Sequence, residues 1–446
     1  MAAPLPKLRR DLSMPGLLST VRRCFAAVED RRRPNSVRHT LADTLSAALA
    51  VFSLKYPSLL QFDNSARLDE VVAHNLRTLY GVGDAPCDTQ MRSILDPLEP
   101  SVLRPAFRAL HSALQRGNAL QDYAYLDGAY LLSVDGTGVF SSSRVSCKHC
   151  CEKHTKEGVE YYHQLLAAVI VHPDRRTVLP VDFEPITRAD GAKKNDCERN
   201  AAKRLLESVA SAYPKRRFVV LEDALAANGP HLQALLHHGM DFIIVAKPGG
   251  NATLFEAVQE RLQQGLCSEW EEADASTGCT RGYRFTHHLP LNHAHPDLTV
   301  NFLEYWEIDA RGKERVWSWI TNLAINRDNA HALMRAGRAR WKIENETFNT
   351  LKNQGYHFEH NFGHGKQYLC STLAGLMLLA FLVDQIQEQV CRVFQLAKER
   401  WRSRRYMWER FRALFFTFYA PDWDALMRAW AEPGSLQFHL PPHDTS

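Results

Sequence analysis

The stretch AYLLSVDGTGVF, residues 129–140, decides the reading of this chain. Its apolar and β-branched residues form a strand signal that runs into Asp135 and then a Gly-rich turn. Beyond it, HQLLAAVIV (163–171) is a near-continuous apolar strand, His172-Pro173-Asp174 makes a turn, and RTVLPVDFEPI (176–186) returns as a third strand. A helix from Asp196 to about Ala212 follows, with Ala201, Leu205, Leu206 and Val209 on its apolar face. RFVVLEDA (217–224) is a fourth, short strand that ends in Asp223; GPHLQALLHHG reads as a helix and DFIIVAKPGG (241–250) as a fifth strand.

Three strands joined by hairpins, then two entered through helical crossovers, describe a mixed sheet with helices packed on it. The fold class is therefore α/β with the order of an RNase H-like core. Working outward, residues 1–118 read as a helical N-terminal region, in which HTLADTLSAALAVFSL has a 3.6-residue apolar period and Asp88–Thr89 a helix-start signal. Residues 119–250 hold the first part of the core. In 251–330 the segments RGYRFTHHL, LTVNFLEYWEI and RVWSWITNL suggest a separate β-rich insertion, 331–365 a core helix, and 366–446 a helical C-terminal region.

Composition narrows the class. The chain has 446 residues, 45% hydrophobic and 23% charged, which is ordinary globular usage. Ten cysteines are too sparse for a disulfide scaffold. The N-terminus has no apolar run of the kind a secretory leader needs, and Leu373 to Val383 is about half a membrane span, so the expected compartment is the reducing cytoplasm. Net charge is only +4, but residues 1–40 hold nine basic side chains against three acidic, and 391–412 hold eight against two. The second cluster is interleaved with Trp401, Tyr406, Trp408 and Phe411. Such patches suit a phosphate backbone, although a solvated helix face has the same signature.

Asp135 and Asp223 each stand at the C-terminal end of an apolar strand, the edge at which open α/β sheets bind ligands. A third acid is available from Glu344 in RARWKIENETFNTLK. Carboxylates converging on one edge repel unless cations neutralise them. Two Mg²⁺ ions about 3.5–4 Å apart would do so, with Mn²⁺ able to substitute, and would support phosphodiester chemistry. A strand-end Asp taken singly is more often a turn-former or cap.

These residues resemble a known family, the DDE-type transposases of bacterial insertion sequences with a Tyr-x2-Arg-x3-Glu-x6-Lys signature. Arg340, Trp341, Ile343 and Glu344 match its Arg-Trp-x-Ile-Glu pattern, SVDGTGVF carries the first Asp, VVLEDA the second, and ITNL at 320–323 precedes the third. The resemblance covers about residues 125–365. Gly337 stands where the signature has Tyr, and Lys352 lies one residue beyond the signature's spacing from Glu344 and one short of it from Glu346. On an α-helix positions 344 and 346 point about 200° apart, so only one of them faces the metals; the Arg340 spacing favours Glu344.

The resemblance implies a cut-and-paste transposase. It would cleave DNA at terminal inverted repeats and join the 3′ ends to target DNA, acting as a homodimer in the synaptic complex, with Arg340 and Lys352 on transposon-end phosphates. A nuclease without strand transfer and a non-catalytic DNA-binding relative are the alternatives.

Three further features stand apart. In KKNDCERN, Lys193 and Lys194 sit on a turn entering a helix and offer a DNA contact. Cys147-x2-Cys150 in CKHCCEKH is half of a zinc site, without a second pair at convincing spacing; reduced loop cysteines are the simpler reading. Trp306, Trp317 and Trp319 lie in the 251–330 region, where some relatives stack a flipped base and where core aromatics are more common.

Overall fold

The computed structural model describes residues 10–191, 194–274, 276–295 and 297–435. The chain divides into two compact units: Leu120–Phe348, and the segments up to Ala119 and from Asn349 taken together.

The first unit is built on one mixed sheet of eleven strands. These are β1 (Ala124–Tyr125), β2 (Ala129–Ser142), β3 (Cys151–Thr155), β4 (Gly158–Val171), β5 (Leu179–Ile186), β6 (Phe218–Glu222), β7 (Asp241–Val245), β8 (Ser268–Asp274), β9 (Cys279–Pro290), β10 (Thr299–Ile308) and β11 (Glu314–Thr321). Its centre runs β5–β4–β2–β6–β7, with β2 antiparallel to β4 and parallel to β6, and β6 parallel to β7. That is the RNase H-like arrangement expected from the order of elements. The apolar runs explain it. All five residues of β6 are buried, as a strand between two parallel neighbours requires. The helix Lys194–Ala212 crosses from β5 to β6 and buries Ala201, Leu205, Leu206 and Val209 against the sheet.

The 251–330 region differs from the expectation of a separate insertion. β11 pairs antiparallel with β7, Thr321 opposite Ile243 and Trp319 opposite Val245, so β11, β10, β9 and β8 continue the central sheet. The unsatisfied edge of β7 supplies the reason: a buried strand edge needs hydrogen-bond partners. β3 and β8 have no alternating apolar signal because both are short and largely exposed.

The second unit is helical. The helix Leu41–Ser53 packs on the helix Leu369–Val390, which is apolar and long enough to cross a membrane by length and composition, and is buried along its length within this unit. An ion pair sits inside it: Lys55 Nζ lies 2.6 Å from Asp384 Oδ2 and over the rings of Tyr356 and Trp408, at 3.9 and 4.0 Å. Burial holds the Lys55 amine down at about 8, against the pull of Asp384, and burial likewise raises the Asp384 carboxyl.

The helix at Asp88 starts without a side-chain cap of its own; the Asp88 N–H donates to Asp63 Oδ2 at 3.0 Å instead. The aromatic residues of the basic C-terminal cluster serve this core. Trp408 and Phe411 are buried, Trp408 stacks on Trp430, and Trp401 donates to the Trp430 carbonyl. Several of its cations are paired, Arg404 with Glu388, Arg405 with Glu409 and Arg392 with Glu399.

Candidate active site

Two acids are placed by strand register. Ser133 pairs with Leu221 across the parallel β2–β6 ladder. Asp135 and Asp223, each two residues further on, therefore emerge at the same sheet edge, and both line one pocket with Glu198, Asn228 and His231. The Asp135 side chain is 21% exposed, and its Oδ1 accepts from the Gly136 N–H at 2.8 Å. Asp223 is exposed and its Oδ1 accepts from the Leu225 N–H at 2.9 Å, capping the short turn Ala224–Ala226. The cap fixes the direction of the carboxylate. Its neighbour Glu222 is committed elsewhere: it is buried with its Oε2 2.6 Å from His231 Nε2. Burial opposes a charge on His231, but Glu222 outweighs it and raises the imidazole pKa.

The third acid arrives on a distorted helix. After the helix Ala330–Ala339 the chain widens into a π turn over Ile343–Phe348, a geometry that often marks functional sites. Arg340 sits before this turn with its side chain only 8% exposed. Its Nη1 lies 2.9 Å from Glu344 Oε1 and 3.0 Å from Asp135 Oδ2, so one guanidinium bridges both carboxylates. Burial, reinforced by Glu344, pushes the Asp135 carboxyl up to about 7 although Arg340 and the Gly136 N–H pull the other way. Glu346 acts on Lys342 instead. Glu344, and not Glu346, thus joins Asp135.

Two contacts fix this helix to the sheet. The Ser133 hydroxyl donates to the Arg340 carbonyl at 3.1 Å. At Gly337 a Cβ would stand 2.6 Å from Nε1 of Trp319, which is itself buried. The departure from the signature's Tyr therefore has a steric cause.

Arg340 lies buried between two carboxylates as their counter-charge. Lys352 belongs to the helical unit and pairs with Glu359 at 3.1 Å. Lys193 lies outside the described residues, and Lys194 opens the helix Lys194–Ala212. Trp306 and Trp319 are buried; Trp317 lies against Tyr305 and under Arg338. Cys147 and Cys150 lie close together in the loop between β2 and β3, their sulfurs 3.8 Å apart.

Sequence reasoning passed over Glu198, whose Oε1 would be 3.5 Å from a Cβ at Gly136 and which lines the pocket beside Asp135. The signal was present in KKNDCERN, where only the lysines drew notice. It also gave no role to Trp341, which is 51% exposed with the Arg340 guanidinium 5.1 Å from its ring centroid.

An RNase H-like sheet with acids from two adjacent strands, one within β2 and one just past the end of β6, and from a later helix defines the class of nucleases and DNA recombinases that share this fold. Within it the family follows from the sequence: a family model described as "Transposase DDE domain" matches residues 127–380, more than half of the chain, and the chain belongs to that family. It is a transposase, acting on DNA in DNA transposition, and such enzymes generally use divalent metal ions. Among solved structures the chain is similar to a piggyBac transposase in a synaptic complex with hairpin DNA, at 12% identity and a TM-score of 0.40, covering 94% of this chain and 80% of that one. No curated protein sequence matches it.

Proposed function

We propose that this chain is the transposase of a bacterial insertion sequence. It hydrolyses the DNA at the element's ends and joins the freed 3′-hydroxyls to target DNA in a cut-and-paste reaction, with Asp135, Asp223 and Glu344 as the catalytic acids. The observation that carries the reading is the convergence of Asp135 and Glu344 on one guanidinium, at an edge shared with Asp223. The donor set fits a hard divalent cation: the three acids offer oxygen ligands only, with one carboxyl raised chiefly by burial and further by the neighbouring Glu344. The three acids would hold Mg²⁺, two ions for which Mn²⁺ may be exchanged. When bound, the metal supplies activation of the attacking water or hydroxyl and charge neutralisation at the leaving oxygen.

The chain's own groups do the positioning. The Gly136 N–H orients Asp135, the Leu225 N–H orients Asp223, and the π turn aims Glu344 toward both Arg340 and Asp135. Arg340 is a positioning residue that keeps the two carboxylates together. Lys193, Lys194 and Lys352 are offered to DNA phosphates. The active form is a homodimer holding the two inverted-repeat ends, working in the cytoplasm on nucleoid DNA.

The test is Mg²⁺-dependent cleavage of DNA carrying the element's own ends, comparing wild type with Glu344→Gln and Glu346→Gln. Cleavage is expected to be lost with Glu344→Gln and kept with Glu346→Gln. The reverse pattern would replace the third acid, and no cleavage by wild type on verified ends would move the chain to the inactive DNA-binding class. Strand transfer is read in the same reaction; cleavage without joined product would make it a nuclease.

A further inference from the structure

The loop that follows β2 returns to the sheet with a tight turn. The Cys150 N–H donates to the Cys147 carbonyl at 3.2 Å, and the Cys147 N–H donates to Cys150 Sγ at 3.4 Å. An N–H aimed at a sulfur suits a thiolate more than a thiol, because the charged form accepts the stronger bond. The turn sets both sulfurs against one ring. His163 lies on β4 opposite Phe140 of β2, and its Nε2 is 3.4 Å from Cys147 Sγ and 3.4 Å from Cys150 Sγ. The sulfurs are 3.8 Å from each other, too far for a disulfide. Cys150 and His163 are buried, at 2% and 4% exposure.

These distances carry a geometric signature. With Zn–S near 2.3 Å and Zn–N near 2.0–2.1 Å, tetrahedral angles put two sulfurs about 3.8 Å apart and a sulfur and a nitrogen about 3.5 Å apart. The observed triangle of 3.8, 3.4 and 3.4 Å reproduces one face of that tetrahedron.

We infer that Cys147, Cys150 and His163 bind a structural Zn²⁺ ion. The fourth vertex falls to a ligand from outside this hairpin. His163 completes the half-site that the Cys-x2-Cys spacing leaves unfinished; it sits thirteen residues downstream of Cys150, inside a run that reads only as a strand. Binding displaces the two thiol protons to solvent and forms two Zn–S bonds and one Zn–N bond, with no change of oxidation state. The ion would clip the exposed segment Ser143–Ser146 and its turn onto β4, the strand paired to the part of β2 that carries Asp135. Its role is separate from the acid site, which offers only oxygen donors.

The experiment is metal analysis of the full-length protein purified without chelator, with Co²⁺ substitution as a second readout. One zinc per chain is expected, and Co²⁺ should give a tetrahedral visible spectrum and a thiolate charge-transfer band. Cys147→Ser should weaken that band, and His163→Gln should shift it. Trypsin cleavage at Arg144 and Lys148 should speed up on zinc removal. The wild-type Co²⁺ titration needs no variant, so a misfolded substitution leaves the test intact. Absence of zinc and of a cobalt band, with both thiols reacting freely with a thiol reagent, would overturn the site; so would a reducible Cys147–Cys150 disulfide in the purified protein. Neither result bears on Mg²⁺-dependent cleavage, so this inference fails or stands apart from the catalytic one.

Discussion

The raised carboxyl at Asp135 makes the active site a source of pH-dependent instability, and its size follows from the structure. In the unfolded chain this group titrates near its ordinary value of 3.8; in the fold burial, with a smaller part from Glu344, holds it at about 7. Between those values the native state binds a proton that the unfolded state has released, so stability falls as pH rises, by about 1.4 kcal/mol per pH unit for one group. From about pH 5 to pH 7 the ceiling is about 2.5 kcal/mol. The side chain is one-fifth exposed and Arg340 stands beside it, so we expect roughly half of that, about 1–1.5 kcal/mol.

The perturbation is Asp135→Asn, which removes the ionisation. Groups away from this site titrate equally in both proteins, so the difference in urea-unfolding free energy between variant and wild type isolates the site, whatever constant cost the new amide adds. With no divalent metal added, the difference should grow in the variant's favour from pH 5 to pH 7 and flatten below about pH 4. Burial is the main cause of the raised carboxyl, so Glu344→Gln should leave most of the slope in place. A difference that is flat with pH, or one that shrinks, would refute the raised Asp135 carboxyl. Asp135→Asn should also abolish cleavage while leaving DNA binding intact.

Other perturbations probe the scaffold. Gly337→Ala should gain up to about 1 kcal/mol from helix propensity, but its Cβ would meet Trp319; overpacking of this kind costs about 1–3 kcal/mol, so calorimetry should show a net loss, and a stabilised variant would mean Trp319 yields. Arg340→Ala should depress cleavage yet leave the salt dependence of end binding unchanged; a slope reduced by about one would restore it as a phosphate contact. In the helical unit, Asp384→Ala strands Lys55 in the core, and breaking a buried pair costs about 3–5 kcal/mol. Because burial already lowers the Lys55 pKa, urea titrations should show that penalty shrinking as pH rises and the amine sheds its proton.

What was legible in the sequence was what periodicity and strand order encode. β2, β4, β5, β6 and β7 announced themselves because strands buried on both faces read as apolar runs; Asp223 does follow the end of its strand, whereas Asp135, expected before a Gly-rich turn, lies inside β2, which runs on paired to β4 as far as Ser142. The helix face of Ala201, Leu205, Leu206 and Val209 followed from a 3.6-residue period in the same way. β8, with the sequence SEWEEAD, was hidden because an exposed edge strand carries no apolar alternation. The union of β11 with β7 was hidden because hydrogen bonding between strands some seventy residues apart leaves no local trace. At the site, the spacing of Arg340 and Glu344 foretold their pairing, but not that the same guanidinium reaches Asp135, two hundred and five residues away in sequence.

The position of Arg340 has an electrostatic logic that ties fold to chemistry. A site that gathers carboxylates is strained whenever its cations are away, and a buried pair of like charges has two remedies, a shared proton or an internal counter-ion. This chain carries the second, a guanidinium that touches both acids, and burial, which lifts the Asp135 carboxyl to about 7, favours the first. Arginine suits the second role because its planar, always charged fork presents several donors, where a lysine ammonium could lose its proton when buried. The backbone then makes the arrangement specific. Ser133 holds the Arg340 carbonyl, Gly337 lets the helix lie against Trp319, and the π turn carries Glu344 round to the guanidinium. Each of these features weakens the local helix or sheet taken alone. Together they hold acids from distant parts of the chain at one edge before any metal arrives, which is the preorganisation that metal-dependent phosphodiester chemistry needs.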